Sequence, residues 1–184
     1  MKREQALKVL KENIKNPNLI KHSLAVEAGM KALAEKFNQD PEKWGLCGLL
    51  HDIDYEKTKD SPQEHSKIGA EMLKELGVEE EICRAVLVHN EIHQIQPQTL
   101  MEKALFCLDP LTGLIVASYL VLPSRKLKDL KTDNVLNRFK EKAFARGANR
   151  EIIKKCSEYL GLELSEFIEI VLSAMQDISE ELGL

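Results

Sequence analysis

The chain has 184 residues, a net charge of −4, 43% apolar residues and only 5% aromatic ones. That length suits one compact domain, or one with a small annex, and the apolar share is enough for a core. The acidic balance argues against nucleic-acid binding by the molecule as a whole, and the weight of Leu, Ile, Ala, Glu and Lys favours helices over sheets.

The N-terminal stretch MKREQALKVLKEN is charged and amphipathic and lacks the apolar core of a secretory signal. Asn16-Pro17 reads as an N-cap followed by proline at the first helical position, opening a helix to about Phe37. Asp40-Pro41 repeats the signal for a helix toward Leu50. Residues 54–62 read as a polar loop, and a helix follows from about Gln63 to Leu76, stopped by Gly77. Residues 79–90 form the next helix, with acids in the first turn, where the helix dipole favours them. A loop containing Pro97 leads to a long apolar helical region, 99–121, with a break or kink expected at Asp109-Pro110 because the residue before proline avoids the helical basin. Beyond Pro123 three helices are expected, at 132–145, 149–160 and 165–182, with Asp133 and Ser165 capping the first and last. Strand alternation, repeats and long linkers are absent. The expectation is a single all-α domain over residues 1–184, with a core at about 17–122 and a C-terminal helical annex at about 123–184.

The longest apolar stretch, Leu114–Leu122, falls short of the roughly 20 residues a membrane span needs. Cys47, Cys83, Cys107 and Cys156 are scattered without a C-x-x-C pair and read as small buried hydrophobes in a reducing compartment. A soluble, cytoplasmic protein is expected, with no membrane partner; its oligomeric state is not legible. Charge is uneven: residues 123–155 hold eleven Lys/Arg against four Asp/Glu, a net of +7, which leaves −11 on the rest. Such a segment can favour an anionic substrate, and it equally fits solvated helix faces.

There are five histidines. Helical spacing places His22 on a stripe with Leu19, Val26, Met30 and Leu33, His65 with Ile68, Met72 and Leu76, and His89 with Ile82, Ala85 and Val86. His51-Asp52 ends the apolar helix 41–50, and Asp109 interrupts the apolar helical region 99–121. A single inward histidine is ordinarily a hydrogen-bonded core residue, and a lone buried aspartate ordinarily caps a helix or pairs with arginine. Four inward histidines and two inward aspartates on several helices are different. A helical bundle brings them to a shared centre, and unpaired they would cost several kcal/mol. A metal relieves that cost by taking imidazole nitrogen and carboxylate oxygen as ligands.

The ordered set His22, His51-Asp52 and Asp109, within KHSLAVEAGMKALAEKF, WGLCGLLHDID and LFCLDPLTGL, resembles the H…HD…D signature of the HD-domain superfamily of metal-dependent phosphohydrolases over roughly residues 17–122. The resemblance implies an all-α helical bundle with a metal site at its centre and one or two divalent ions, with Mn, Fe, Co or Zn fitting the mixed His/carboxylate ligation. It implies that His22, His51, Asp52 and Asp109 hold the first ion, and that His65 and His89, with Asp52 bridging, hold a second. It also implies that Asp52 positions a metal-activated water for attack on a small phosphorylated substrate such as a nucleotide. If only one ion binds, His65 and His89 are polar residues lining the pocket.

The residues after the pair depart from the better-known branches. Tyr55 stands where HD-x-x-E branches carry a glutamate serving the catalytic water, so that role does not transfer. Asp54 suits either a hydrogen bond to a ligand histidine or a cap for the polar loop. His93 and Glu91 read as exposed loop residues, because the helix ends at Asn90 and Pro97 follows. Arg125, with Lys126, is a candidate to take a substrate phosphate at the pocket mouth, and it equally suits a solvated turn. Alternatives to hydrolysis are a non-catalytic metal- and nucleotide-binding sensor domain, or a di-iron oxygenase on a related helical scaffold.

Overall fold

A computed structural model describes residues 1–184, and every regular element in it is helical. In chain order the α-helices are α1 (Arg3–Asn13), α2 (Pro17–Lys36), α3 (Pro41–Leu50), α4 (Tyr55–Thr58), α5 (Lys67–Glu75) and α6 (Glu80–His89). They continue as α7 (Leu100–Leu120), α8 (Thr132–Lys140), α9 (Arg150–Lys154), α10 (Cys156–Leu160), α11 (Leu164–Asp177) and α12 (Ser179–Leu182). One apolar cluster of 45 buried residues runs from Ala6 in α1 to Leu182 in α12, so the annex helices share the core of the rest. All four cysteines are buried and unpaired. No helix is long and apolar enough to cross a membrane.

The two proline-led starts form as their local chemistry dictates. The Asn16 side chain accepts from the Asn18 amide at 2.9 Å, and Asp40 accepts from the Glu42 and Lys43 amides at 2.9 and 3.2 Å. The Glu56 carboxylate accepts from the Lys15 and Asn16 amides, which ties α4 to the entry of α2. α2 lies against α3, α7 and α11, and α6 bridges α5 to α7, so α2, α3, α6 and α7 surround the centre. α3 reaches α2 closely because Gly48 has no side chain: a Cβ there would sit 2.8 Å from the Val26 carbonyl oxygen and 2.9 Å from the Glu27 amide nitrogen.

Several boundaries differ from expectation, each for a physical reason. α7 runs unbroken through Asp109-Pro110. Leu105, Leu108, Leu111, Leu114 and Ile115 are all fully buried, and that packing outweighs the hydrogen bond lost at the proline. α5 starts at Lys67 rather than Gln63, because Ser66 takes a left-handed conformation, φ +68°, that no helix accommodates. α8 stops at Lys140; the Arg150 guanidinium donates to the Ala145, Ala148 and Phe144 carbonyls and holds the following residues as turns. Lys131 and Glu163, not Asp133 and Ser165, occupy the cap positions of α8 and α11. The expected 149–160 helix divides at Lys155, and the expected 165–182 helix divides at Ile178.

Candidate metal centre

Four imidazoles and two carboxylates converge between α2, α3, α6, α7 and the corner that opens α5. The Asp52 carboxylate is in the middle. Its Oδ2 lies 3.4 Å from His51 Nε2 and 3.7 Å from His22 Nε2, while its Oδ1 lies 3.3 Å from His65 Nε2 and 3.4 Å from His89 Nε2. Asp109 Oδ1 closes the first half, 3.0 Å from His22 Nε2 and 3.7 Å from His51 Nε2. The rings follow one another edge to face, with centroids 5.0 Å apart for His22–His51, 5.1 Å for His51–His89 and 5.2 Å for His65–His89. His51 is fully buried and Asp52 and His89 nearly so, whereas His22 and Asp109 reach the surface.

The outward nitrogens fix the chemistry of the inward ones. His51 Nδ1–H donates to the Gly48 carbonyl at 2.8 Å and His89 Nδ1–H to the Val86 carbonyl at 2.6 Å, each reaching three residues back along its own helix. His65 Nδ1–H donates to Asp54 Oδ1 at 3.0 Å. The Thr112 hydroxyl donates to the Asp109 carbonyl at 2.9 Å, which leaves its oxygen to accept from His22 Nδ1–H at 3.2 Å. With the Nδ1 proton committed, each neutral ring presents the lone pair of Nε2 to the centre. Oxygen and imidazole donors without thiolate suit a divalent first-row metal. Two overlapping groups have ligand atoms mutually close enough to share an ion: His22, His51 and Asp109, and His51, Asp52 and His89.

A model of the HD domain matches residues 19–118, which include all six converging residues. The chain belongs to the HD-domain family. Among curated relatives it is 30% identical over 138 residues to ribonuclease Y of Lawsonia intracellularis, covering 73% of this chain and 26% of that protein. Against ribonuclease Y of Thermotoga petrophila the identity is 31% over 139 residues, covering 73% and 27%. Against an uncharacterized protein of Methanocaldococcus jannaschii it is 42% over 88 residues, covering 45% and 50%. The chain thus spans about a quarter of the length of the ribonuclease Y relatives. No solved structure matches it significantly.

The HD centre is electrostatically taut. Burial favours the neutral carboxyl at Asp52, but His51, His65 and His89 hold it well below the usual carboxylate range. Asp109 is held low against its burial by His22 and His51. Burial opposes protonation of His51, yet Asp52 and Asp109 lift it well above the usual histidine value. His65 is likewise desolvated, and Asp52 and Asp54 raise it to about 9. Without metal, protons therefore occupy the nitrogens a metal would need. Binding of Mn or Zn is expected to release protons and to tighten as pH rises toward the His65 pKa of about 9. Calorimetry in buffers of different protonation enthalpy measures this; an affinity that is flat from pH 6 to 9 would contradict it.

Asp54 bonds a converging histidine, as one expectation had it, and its other oxygen serves the start of α5 rather than the polar loop. It is fully buried; Oδ1 orients His65, and Oδ2 accepts from the Ser66 and Gly69 amides at 2.8 Å each, satisfying the start of α5. His93 is not an exposed loop histidine: half-buried, its Nε2 lies 2.8 Å from the His65 carbonyl and 3.0 Å from Ser66 Oγ, so it braces the corner. Asn90 Nδ2 donates to the Pro62 and His65 carbonyls from another side. Glu91 is exposed and accepts from Asn149. Tyr55 is exposed and stands edge to face on His65, with centroids 5.3 Å apart. Arg125 lies in an exposed turn at φ +49° and is not among the residues lining the cleft beside His22 and Asp109.

The supporting residues Thr112, Ser66 and Asn90 were not singled out from sequence. Thr112 had a signal in its spacing, three residues past Asp109 on the same helix, whereas Ser66 and Asn90 depend on a corner the sequence did not reveal. Asp54→Ala is expected to cost about 3 kcal/mol in urea unfolding, since it strands two buried amides and a histidine N–H. Freeing the His65 ring is expected to weaken metal binding about 10- to 100-fold in a titration.

Proposed function

We propose that this HD-domain protein is a metal-dependent phosphohydrolase that cleaves a nucleotide or another phosphomonoester or phosphodiester. The observation that carries the reading is the division of Asp52: one oxygen faces His22 and His51, the other faces His65 and His89. A carboxylate so placed suits a bridge between two cation positions. Membership of a family of metal-dependent hydrolases supports the reaction class, and the ribonuclease Y relatives are compatible with a phosphodiester.

In this reading His22, His51, Asp52 and Asp109 hold one divalent ion, and Asp52, His65 and His89 a second, with Mn, Fe, Co or Zn all compatible. Bound ions there supply Lewis acidity toward a phosphoryl oxygen and lower the pKa of a water. Asp52, kept anionic by its histidines, orients the attacking water toward the phosphorus. Substrate enters from the His22 and Asp109 side, where Gly113, Ala145, Gly147 and Ala148 line a cleft of about 340 Å³ and their small side chains leave room for a phosphate. Leu49, Leu50 and Ile53, all fully buried, exclude bulk water from the rear.

Elemental analysis of protein purified without chelators, followed by a phosphatase and phosphodiesterase panel with the metals found, tests the proposal. At least one equivalent of transition metal and turnover of a phosphate ester are expected. Nucleotide binding without turnover across a broad panel would point to a sensor domain. Iron with a mixed-valence signal would point to an oxygenase.

A further inference from the structure

The metal cleft does not end at the HD centre. Gly147 and Ala148, which form its outer wall, also form one wall of a second concavity of about 620 Å³ in the annex. The two concavities therefore adjoin along residues with small side chains. The second concavity also touches Glu91, in the segment that follows α6.

Three of its five cations are not spent internally. Arg150 is occupied with backbone carbonyls, Lys154 pairs with Glu151 at 3.0 Å, and Glu91 is held by Asn149. Lys140, Lys142 and Arg146, all exposed, line the groove and pair with no carboxylate. Other exposed lysines, such as Lys11, Lys74 and Lys128, line no part of this groove, so what distinguishes these three is that they share one concavity. Only two of the groove's lining residues are hydrophobic, Phe139 and Ala148, and both are buried, so the exposed surface it offers is mainly cationic. Such a surface grips phosphate oxygens and is indifferent to what the phosphates link.

We propose that Lys140, Lys142 and Arg146 form a phosphate-binding track that continues the metal cleft and takes the further phosphates of a substrate carrying several in a row. This rests on the phosphohydrolase reading for the identity of the substrate, but not for the binding itself. Two sources share the chemistry: the backbone of a short single-stranded oligonucleotide, and a polyphosphate tail.

The test compares the full chain with two triple variants of equal charge loss. One is K140A/K142A/R146A; the other, K11A/K74A/K128A, removes exposed lysines away from the groove. Binding of fluorescein-labelled octauridylate and of tripolyphosphate is measured by anisotropy and competition, and turnover is measured on bis(p-nitrophenyl) phosphate, which has one phosphate. The groove variant is expected to bind at least one multi-phosphate probe tenfold or more weakly. On octauridylate its salt slope is expected to fall by about two, the counterion release of three lost contacts on a single strand. The control variant should match the parent. Groove-dependent binding of octauridylate alone identifies a phosphodiester chain as the ligand, and of tripolyphosphate alone a polyphosphate tail. Equal behaviour of the two triple variants on both probes overturns the proposal. A parent that hydrolyses nothing, but whose binding still depends on the groove, overturns the phosphohydrolase reading and leaves the track standing.

Discussion

Asp52→Ala is expected to abolish metal retention and to reduce phosphate-ester hydrolysis by about a thousandfold or more. No other single residue faces all four converging histidines. Its removal takes a ligand from each half of the centre and leaves the imidazoles, with centroids about 5 Å apart, without the anion between them. His65 loses one of the two carboxylates that raise its pKa to about 9, so that value should move down toward the ordinary one, a shift visible by NMR in the metal-free protein. Asp52→Asn, which keeps the shape and one oxygen acceptor, should retain more metal than the alanine variant. Full activity in Asp52→Ala, with metal content unchanged, would mean that the reacting centre is elsewhere.

Gly48→Ala is expected to destabilise the fold by about 3 kcal/mol or more, although helix propensity alone predicts a gain of about 1 kcal/mol. The contacts decide which effect wins. The new methyl would meet the Val26 carbonyl carbon and oxygen and the Glu27 amide nitrogen at 2.8–2.9 Å, and backbone atoms inside a helix cannot rotate away. α2 and α3 must therefore separate. They carry His22 and His51, whose Nε2 atoms lie 3.2 Å apart, and Gly48 also supplies the carbonyl that orients His51. Loss of stability in urea should accompany weaker metal binding. Gly113→Ala, where a Cβ meets nothing within 4 Å, is the matched control and should be neutral or stabilising. A neutral Gly48→Ala would show that the two helices have freedom to adjust that the packing does not suggest.

What could be read from the sequence was whatever depends on spacing along one helix. The His22, His65 and His89 stripes, the His51-Asp52 helix end and the Asn16 and Asp40 caps are local patterns, and the all-α fold follows from them. What could not be read depends on tertiary context. The proline rule at Asp109-Pro110 is sound for an isolated helix, but α7 is buried on enough sides to carry the lost bond. The start of α5 turns on one left-handed serine, held by Asp54, His93 and the Leu87 carbonyl, partners that lie up to 27 residues away. The basic excess of residues 123–155 was visible as a sum, but which of its cations face the cleft was not. Arg125, nearest in sequence to α7, is in an outer turn, while Arg146, farther along, lies beside the shared wall. A net charge of −4 describes the whole chain and says little about one groove.

The corner held by Asp54 has a consequence for how the protein can change. Its anchors, Asp54, Ser66, Gly69, Asn90 and His93, are separate from those that orient His22 and His51, which are Thr112 and the Gly48 carbonyl. Between Thr58 and His65 lie six exposed residues, Lys59 to Glu64, that end on a pinned histidine. Side chains in that span can vary without disturbing the core, because His65 is fixed by Asp54, Asn90 and His93 rather than by them. Leading directly to one of the converging histidines, such a segment is where lineages that keep the HD centre can diverge around it.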